Sequence, residues 1–149
     1  MEYRFATNDD IELLMEIRLE MLRIVNDLPE SHIFSDELVE CSRRYFLNGD
    51  QSTAIAVDNG RIVACASISY IGIMPTFSHP TGKRGHLMNV YTKADHRRQG
   101  VARILVEMLI KDAKEKGATE ISLDATESGR PLYEALGFHS SSEYMVRTL

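Results

Sequence analysis

The sequence predicts one α/β domain built on a mixed, mostly antiparallel sheet with a central parallel βαβ crossover, in the order β-α-α-β-β-β-α-β-α-β. Three observations lead there. The β-rich runs "STAIAV" and "RIVACASIS" stand on either side of "DNG", whose Asn-Gly pair is a hairpin signal. A helical stretch joins "LMNVYT" to "EISLDA", and strands connected through a helix lie parallel. Finally, 149 residues without repeats, low-complexity tracts or linker-like stretches suit a single domain over 1–149 with one buried core.

Taken in order, "EYRFA" alternates like a short strand. "TNDD" then supplies cap-type residues, and Ile11, Leu14, Met15, Leu22 and Val25 recur at helical spacing until Pro29 breaks the pattern. A second helix is expected from Ser35 or Asp36 to about Leu47, ending at "NGD", and the hairpin follows. Residues 72–86, "GIMPTFSHPTGKRGH", lack periodicity and are rich in Gly and Pro, which predicts a loop. After the strand "LMNVYT" and Gly100, Val101, Leu105, Met108 and Leu109 form one apolar stripe that Gly117 stops. "EISLDA" alternates as a strand. "SGRPLYEALGF" reads as a short helix with Ser128 as its cap, Pro131 in its first turn and Gly137 as its stop, and "EYMVRT" as a last strand.

Charge and composition narrow the function classes. A net charge of −5 disfavours nonspecific nucleic-acid binding. No apolar stretch reaches membrane-spanning length, and Glu2 and Arg4 interrupt any signal-peptide pattern, so a cytoplasmic protein without membrane contact is expected. Cys41 and Cys65 lack metal-like spacing; no disulfide framework or metal site is indicated, and Cys65 in "IVACASI" reads as a core residue. Within this acidic chain Lys83, Arg84, Lys93, Arg97, Arg98 and Arg103 cluster against the single acid Asp95. Such a segment suits an anionic ligand, and equally a solvated basic face.

The run "HRRQGVA" gives the cluster a chemistry. First-turn amides of a helix have no internal partners and carry the positive end of the helix dipole. A glycine there lets a phosphate approach the backbone, and Arg97 and Arg98 add charge-assisted donors. The spacings G-x-x-x-x-G-K-[ST] and G-x-G-x-x-G are absent, which disfavours nucleoside triphosphates and dinucleotides. Arg97-x-x-Gly100-x-Ala102 instead resembles the pyrophosphate loop of the GCN5-related N-acetyltransferase (GNAT) superfamily, and "PLYEALGF" at 131–138 is similar to the family's closing Leu-Tyr-x-x-x-Gly-Phe. The element order matches as well, so the resemblance implies the acyl-CoA N-acyltransferase-like fold with acetyl-coenzyme A (acetyl-CoA) as co-substrate.

By that resemblance, backbone groups around Val90, Tyr91 and Thr92 pair with the pantetheine amides. The amides of Arg97, Arg98, Gln99, Gly100, Val101, Ala102 and Arg103 hold the pyrophosphate, and Tyr133 lies near the thioester sulfur as proton donor. Thr126 stands where the family often has Asn. The implied reaction is direct attack by a primary amine, of a small molecule or of a protein or peptide, in a ternary complex without an acyl-enzyme. A substrate alkylamine titrates near ~10, so a base or a water chain must take its proton at neutral pH. His86, His79, Glu16 and Glu20 are the candidates, and the sequence does not choose among them. The acids of the first two helices, Glu12, Glu16, Glu20, Asp27, Glu30, Asp36, Glu37 and Glu40, suit a cationic acceptor or a merely solvated face. A coenzyme A-binding regulatory or interaction module without transfer activity is the alternative, and a homodimer is expected by family analogy alone.

Overall fold

The computed structural model describes residues 1–141 and 143–149. Strands β1 (Glu2–Phe5), β2 (Gln51–Asp58), β3 (Arg61–Gly72), β4 (Lys83–Thr92) and β5 (Ile121–Leu123) form one sheet in sequential order. Neighbours pair antiparallel except β4 and β5, which run parallel. Helices α1 (Ile11–Val25) and α2 (Asp36–Asn48) precede β2, α3 (Val101–Glu115) crosses from β4 to β5, and α4 (Arg130–Ala135) follows. The expected fold class is the one observed.

The core lies on both faces of the sheet, and strand alternation divides it. Ala54, Ala56, Ala64, Ala66 and Ile68 face α3, where Leu105, Val106 and Leu109 are fully buried. The four alanines keep that face low, so the helix can lie close. Ile55, Ile62 and Cys65 point the other way, against Leu14, Ile17 and Met21 of α1. Cys65 is indeed a core residue, and burial pushes its thiol up to about 12. Asp112 of α3 accepts hydrogen bonds from Ser52 (2.6 Å) and from Tyr70, which fastens the C-terminal part of the helix to β2 and β3.

The hairpin turn forms where its dipeptide predicts, with Asn59 and Gly60 both at positive φ (49° and 74°). Ser35 caps α2, its Oγ accepting from the Leu38 amide. At the start of α1 the Asp10 carboxylate accepts two bonds from the Arg4 guanidinium (2.8 Å each) and one from the Thr7 amide (2.8 Å). The Arg4 hydrogen bonds hold Asp10 down at about 2, below its ordinary 3.8. A depressed carboxylate contributes stability at pH values above its unfolded pKa and loses it as pH falls through the folded one, here between about 4 and 2. Arg4 is partly solvated, so Asp10→Asn is expected to cost on the order of 1 kcal/mol at pH 7. Urea titrations of both proteins at pH 7 and pH 2.5 check this, since the difference should shrink at the lower pH.

Three expectations need correction. Residues 83–86 belong to β4: Lys83 pairs with Gly72 and His86 with Ser69, so the hairpin ladder continues through a stretch with no apolar alternation to announce it. Ser128 does not cap α4; the Thr126 hydroxyl accepts from the Gly129 amide instead (3.2 Å), one residue before the helix. The segment "EYMVRT" is not a strand. Its Tyr144, Met145 and Val146 are 82%, 93% and 74% exposed, and among the described residues no backbone ladder reaches them, so alternation alone does not make a strand. Among the described residues no helix is long and apolar enough to cross a membrane.

Candidate active site

The site begins where two parallel strands part. β4 pairs with β5 only from Gly85 to Leu87, yet β4 runs on to Thr92. From Met88 onward the edge of β4 that faces β5 has no strand partner among the described residues, and Val90, Tyr91 and Thr92 lie on it. On the opposite edge a β-bulge sets Asn89 and Val90 against the single residue Ala66 of β3. Asn89 takes a left-handed conformation (φ 57°) to make it. Bulges bend the strand and re-aim its side chains. Here Asn89 donates to the Ser67 hydroxyl (3.2 Å) and accepts from the Arg18 guanidinium (3.1 Å). The sequence reading missed both Asn89 and Arg18; the available signal was an Asn inside a strand run, a residue depleted in strands and tolerant of positive φ.

The side chain of Tyr91 serves a different face from its backbone. It packs against α1, and its hydroxyl donates to Glu20 (3.0 Å). Burial, followed by that bond, pushes the hydroxyl up to about 12. Glu20 also pairs with Lys93 (3.2 Å), so it is engaged twice.

Beyond Thr92 the chain turns through residues 94–100 into α3. Gly100 is left-handed (φ 77°), and a Cβ built on it would meet no atom within 4 Å. None of the amides from Arg98 to Arg103 donates to a protein acceptor among the described residues. Six open donors at a helix N-terminus form an anion cradle, and the open space over Gly100 is what a phosphate approaching the backbone requires. Arg97 falls outside this set. Its amide closes the turn on Ala94 (3.4 Å), and its guanidinium folds back onto the Thr92 carbonyl (2.9 Å) and over the Tyr91 ring. The Arg103 side chain lies along α3 against Glu107 (3.0 Å), and the Gln99 side-chain Nε2 donates to the Asp95 carbonyl. His96 holds the turn to the β2–β3 hairpin, contacting Asp95 (2.8 Å) and Asp58 (3.2 Å), and those two bonds raise its pKa.

Tyr133 lies on α4, half-buried, its ring edge-on to Phe138 at 5.9 Å. Desolvation raises its pKa, so the phenol stays protonated well beyond neutral pH. It lines a cavity of about 230 Å³ together with His86, Asn89, Asp124 and Thr126, and also a larger groove of about 910 Å³ along β5. His86 donates to or accepts from Ser122 (2.8 Å), and its other ring nitrogen lies 3.8 Å from Asp124. Of the four base candidates, His86 shares this cavity with Tyr133. Glu20 is engaged as described and Glu16 is solvent-exposed. His79 sits at the other end of β4, bonded to Thr119 (2.8 Å) and near Glu120.

The model of the acetyltransferase (GNAT) family matches residues 14–138. The chain is 28% identical over 135 residues to a probable N-acetyltransferase family 8 member 5 from Mus musculus, covering 83% of this chain. It is 33% identical over 86 residues, 58% of this chain, to a glucosamine 6-phosphate N-acetyltransferase from Trypanosoma brucei brucei. The chain spans 56% of the length of each of these relatives. Among solved structures, a predicted acetyltransferase with acetyl-CoA from Clostridium acetobutylicum superposes with a TM-score of 0.86 at 32% identity, over 99% of this chain and 95% of that one. A GCN5-related N-acetyltransferase from Ralstonia eutropha JMP134 gives 0.81 at 26% identity, over 99% and 97%.

Proposed function

Because this chain belongs to the GNAT family of acetyltransferases, we propose that it transfers an acetyl group from acetyl-CoA to a primary amine, by direct attack in a ternary complex. The observation that carries the reading is the parting of β4 from β5 at Leu87, which leads an unpaired strand edge directly to the open amides around Gly100. An extended amide-bearing chain can add to such an edge as a further half-strand. A pyrophosphate at its end then meets the amides of Arg98, Gln99, Gly100, Val101, Ala102 and Arg103. Arg97 supports the site by fixing the corner between Thr92 and the turn.

Acetyl-CoA supplies the thioester carbonyl that the amine attacks. His86 takes the proton the ammonium must lose, directly or through one water, and passes it towards Ser122 or Asp124, which flank its ring. Tyr133 presents its phenol to the departing thiolate. With an ordinary thiol near ~8.5 and a phenol near ~10, a hydrogen bond to the sulfur is favourable before any proton moves. Thr126 shares the cavity wall, but its hydroxyl already accepts the Gly129 amide, so it positions the start of α4, the helix that carries Tyr133.

Calorimetric titration of acetyl-CoA, followed by release of free thiol with added amines, tests the reading. Binding without thiol release from any amine would leave a coenzyme A-binding module. His86→Gln is expected to lower kcat/KM about 100-fold at pH 7 and to remove the acid limb of its pH profile. An unchanged acid limb would assign the proton to water.

A further inference from the structure

A guanidinium beside the cavity has no carboxylate. Arg18 is half-buried on α1, and burial lowers its pKa. Its hydrogen bond is to a neutral acceptor, Asn89 Oδ1, and among the described residues no acid lies within ion-pair distance. On the same helix Glu20 is engaged elsewhere, with Tyr91 and Lys93. A desolvated cation using one of its five N–H groups carries an uncompensated charge, which an arriving anion relieves. Two of its neighbours line the cavity. Asn89 forms part of the wall, and Met21, one helical turn after Arg18, forms another. The same cavity holds a charge of the opposite sign in Asp124, beside His86 and Tyr133.

Resting on the acetyltransferase reading above, we infer that the acceptor is an amine that carries its own anionic group, a carboxylate or a phosphate, and that Arg18 binds that group. The two charges of such a molecule match Asp124 in the cavity wall and Arg18, which is hydrogen-bonded to the wall residue Asn89. Its ammonium lies towards Asp124 and His86, where the proton is lost, and its anion lies towards Arg18. Guanidinium forks suit carboxylate and phosphate alike, and the bond to Asn89 fixes the fork in place. The acidic faces of α1 and α2 then play no part in choosing the acceptor, contrary to the cationic acceptor that charge alone suggests.

Thiol release with a charge-matched set of amines tests this: O-phosphoethanolamine, β-alanine, ethanolamine and 1,3-diaminopropane. In the wild type the two anionic amines should exceed ethanolamine in kcat/KM by about 10- to 100-fold, as charge-assisted pairs do over neutral ones. Whichever of the two is better identifies phosphate or carboxylate as the group read. In Arg18→Gln that ratio should fall towards one, and in Arg18→Lys it should lie between, because charge remains and the fork is lost. Preference for ethanolamine or diaminopropane, or a ratio untouched in Arg18→Gln, overturns the inference. If no amine is turned over, calorimetric titration of O-phosphoethanolamine and ethanolamine into the protein loaded with coenzyme A decides it by the same ratio. Failure to bind acetyl-CoA at all would strike the acetyltransferase reading itself. Binding of acetyl-CoA without any charge preference strikes only the role of Arg18.

Discussion

Gly100→Asp is expected to weaken acetyl-CoA binding by about 100-fold or more while leaving the protein folded. Two physical contributions add. The residue sits at φ 77°, where a non-glycine side chain costs roughly 1 kcal/mol or somewhat more. The larger one is electrostatic, since the new carboxylate would occupy the open space in which the pyrophosphate meets six unpaired amides. Like charges brought together in a binding site cost several kcal/mol, and each 1.4 kcal/mol is a factor of about ten. Gly100→Ala separates the two. Its methyl group meets no atom within 4 Å, so it carries the backbone strain without the charge and should weaken binding less than about tenfold. Calorimetry on all three proteins, with thermal melts as the check on folding, gives the comparison. Equal affinity for Gly100→Asp and the wild type would remove the phosphate cradle from this loop.

Tyr133→Phe is expected to lower kcat by about 100-fold with little change in acetyl-CoA affinity, because the lost hydroxyl acts on the leaving sulfur and not on the bound cofactor's phosphates. The substitution keeps the ring and its edge-on contact with Phe138, so packing of α4 should survive. The pH dependence sharpens the test. Desolvation raises the Tyr133 pKa above its ordinary 10, which keeps the proton-donating form fully populated through neutral pH. The wild type should therefore show no loss of kcat from this group below about pH 9, and any alkaline limb below that must come from elsewhere. Steady-state kinetics across pH 6 to 9 measure both quantities. An unchanged kcat would reduce Tyr133 to a packing residue.

Much of the fold could be read from local pattern because its units are local. The hairpin needs only two β-rich runs and Asn59-Gly60 between them. The helices declare themselves through apolar spacing, as in Leu105 and Leu109. Where pattern failed, the deciding partner was remote. Lys83 and Arg84 look like loop, yet Gly72 and Ile71 complete their ladder. Tyr144 to Val146 alternate like a strand, yet they stay exposed and no strand ladder among the described residues takes them up.

The candidate site divides along the same line. By itself, the sequence determined the strand–glycine–helix unit from "LMNVYT" to Val101, because consecutive residues build an anion cradle from their own backbone whatever surrounds them. The identity of Tyr133 as a candidate came from a short motif in the same way. Only the tertiary structure decided that Arg97 turns back to Thr92, that His86 shares a cavity with Tyr133, and that Arg18 meets Asn89 across 71 residues of chain. Those pairings depend on sheet order, on the bulge opposite Ala66 and on the packing of α1 against the sheet. Side-chain chemistry is written in the sequence, but which groups are desolvated together is set by long-range packing.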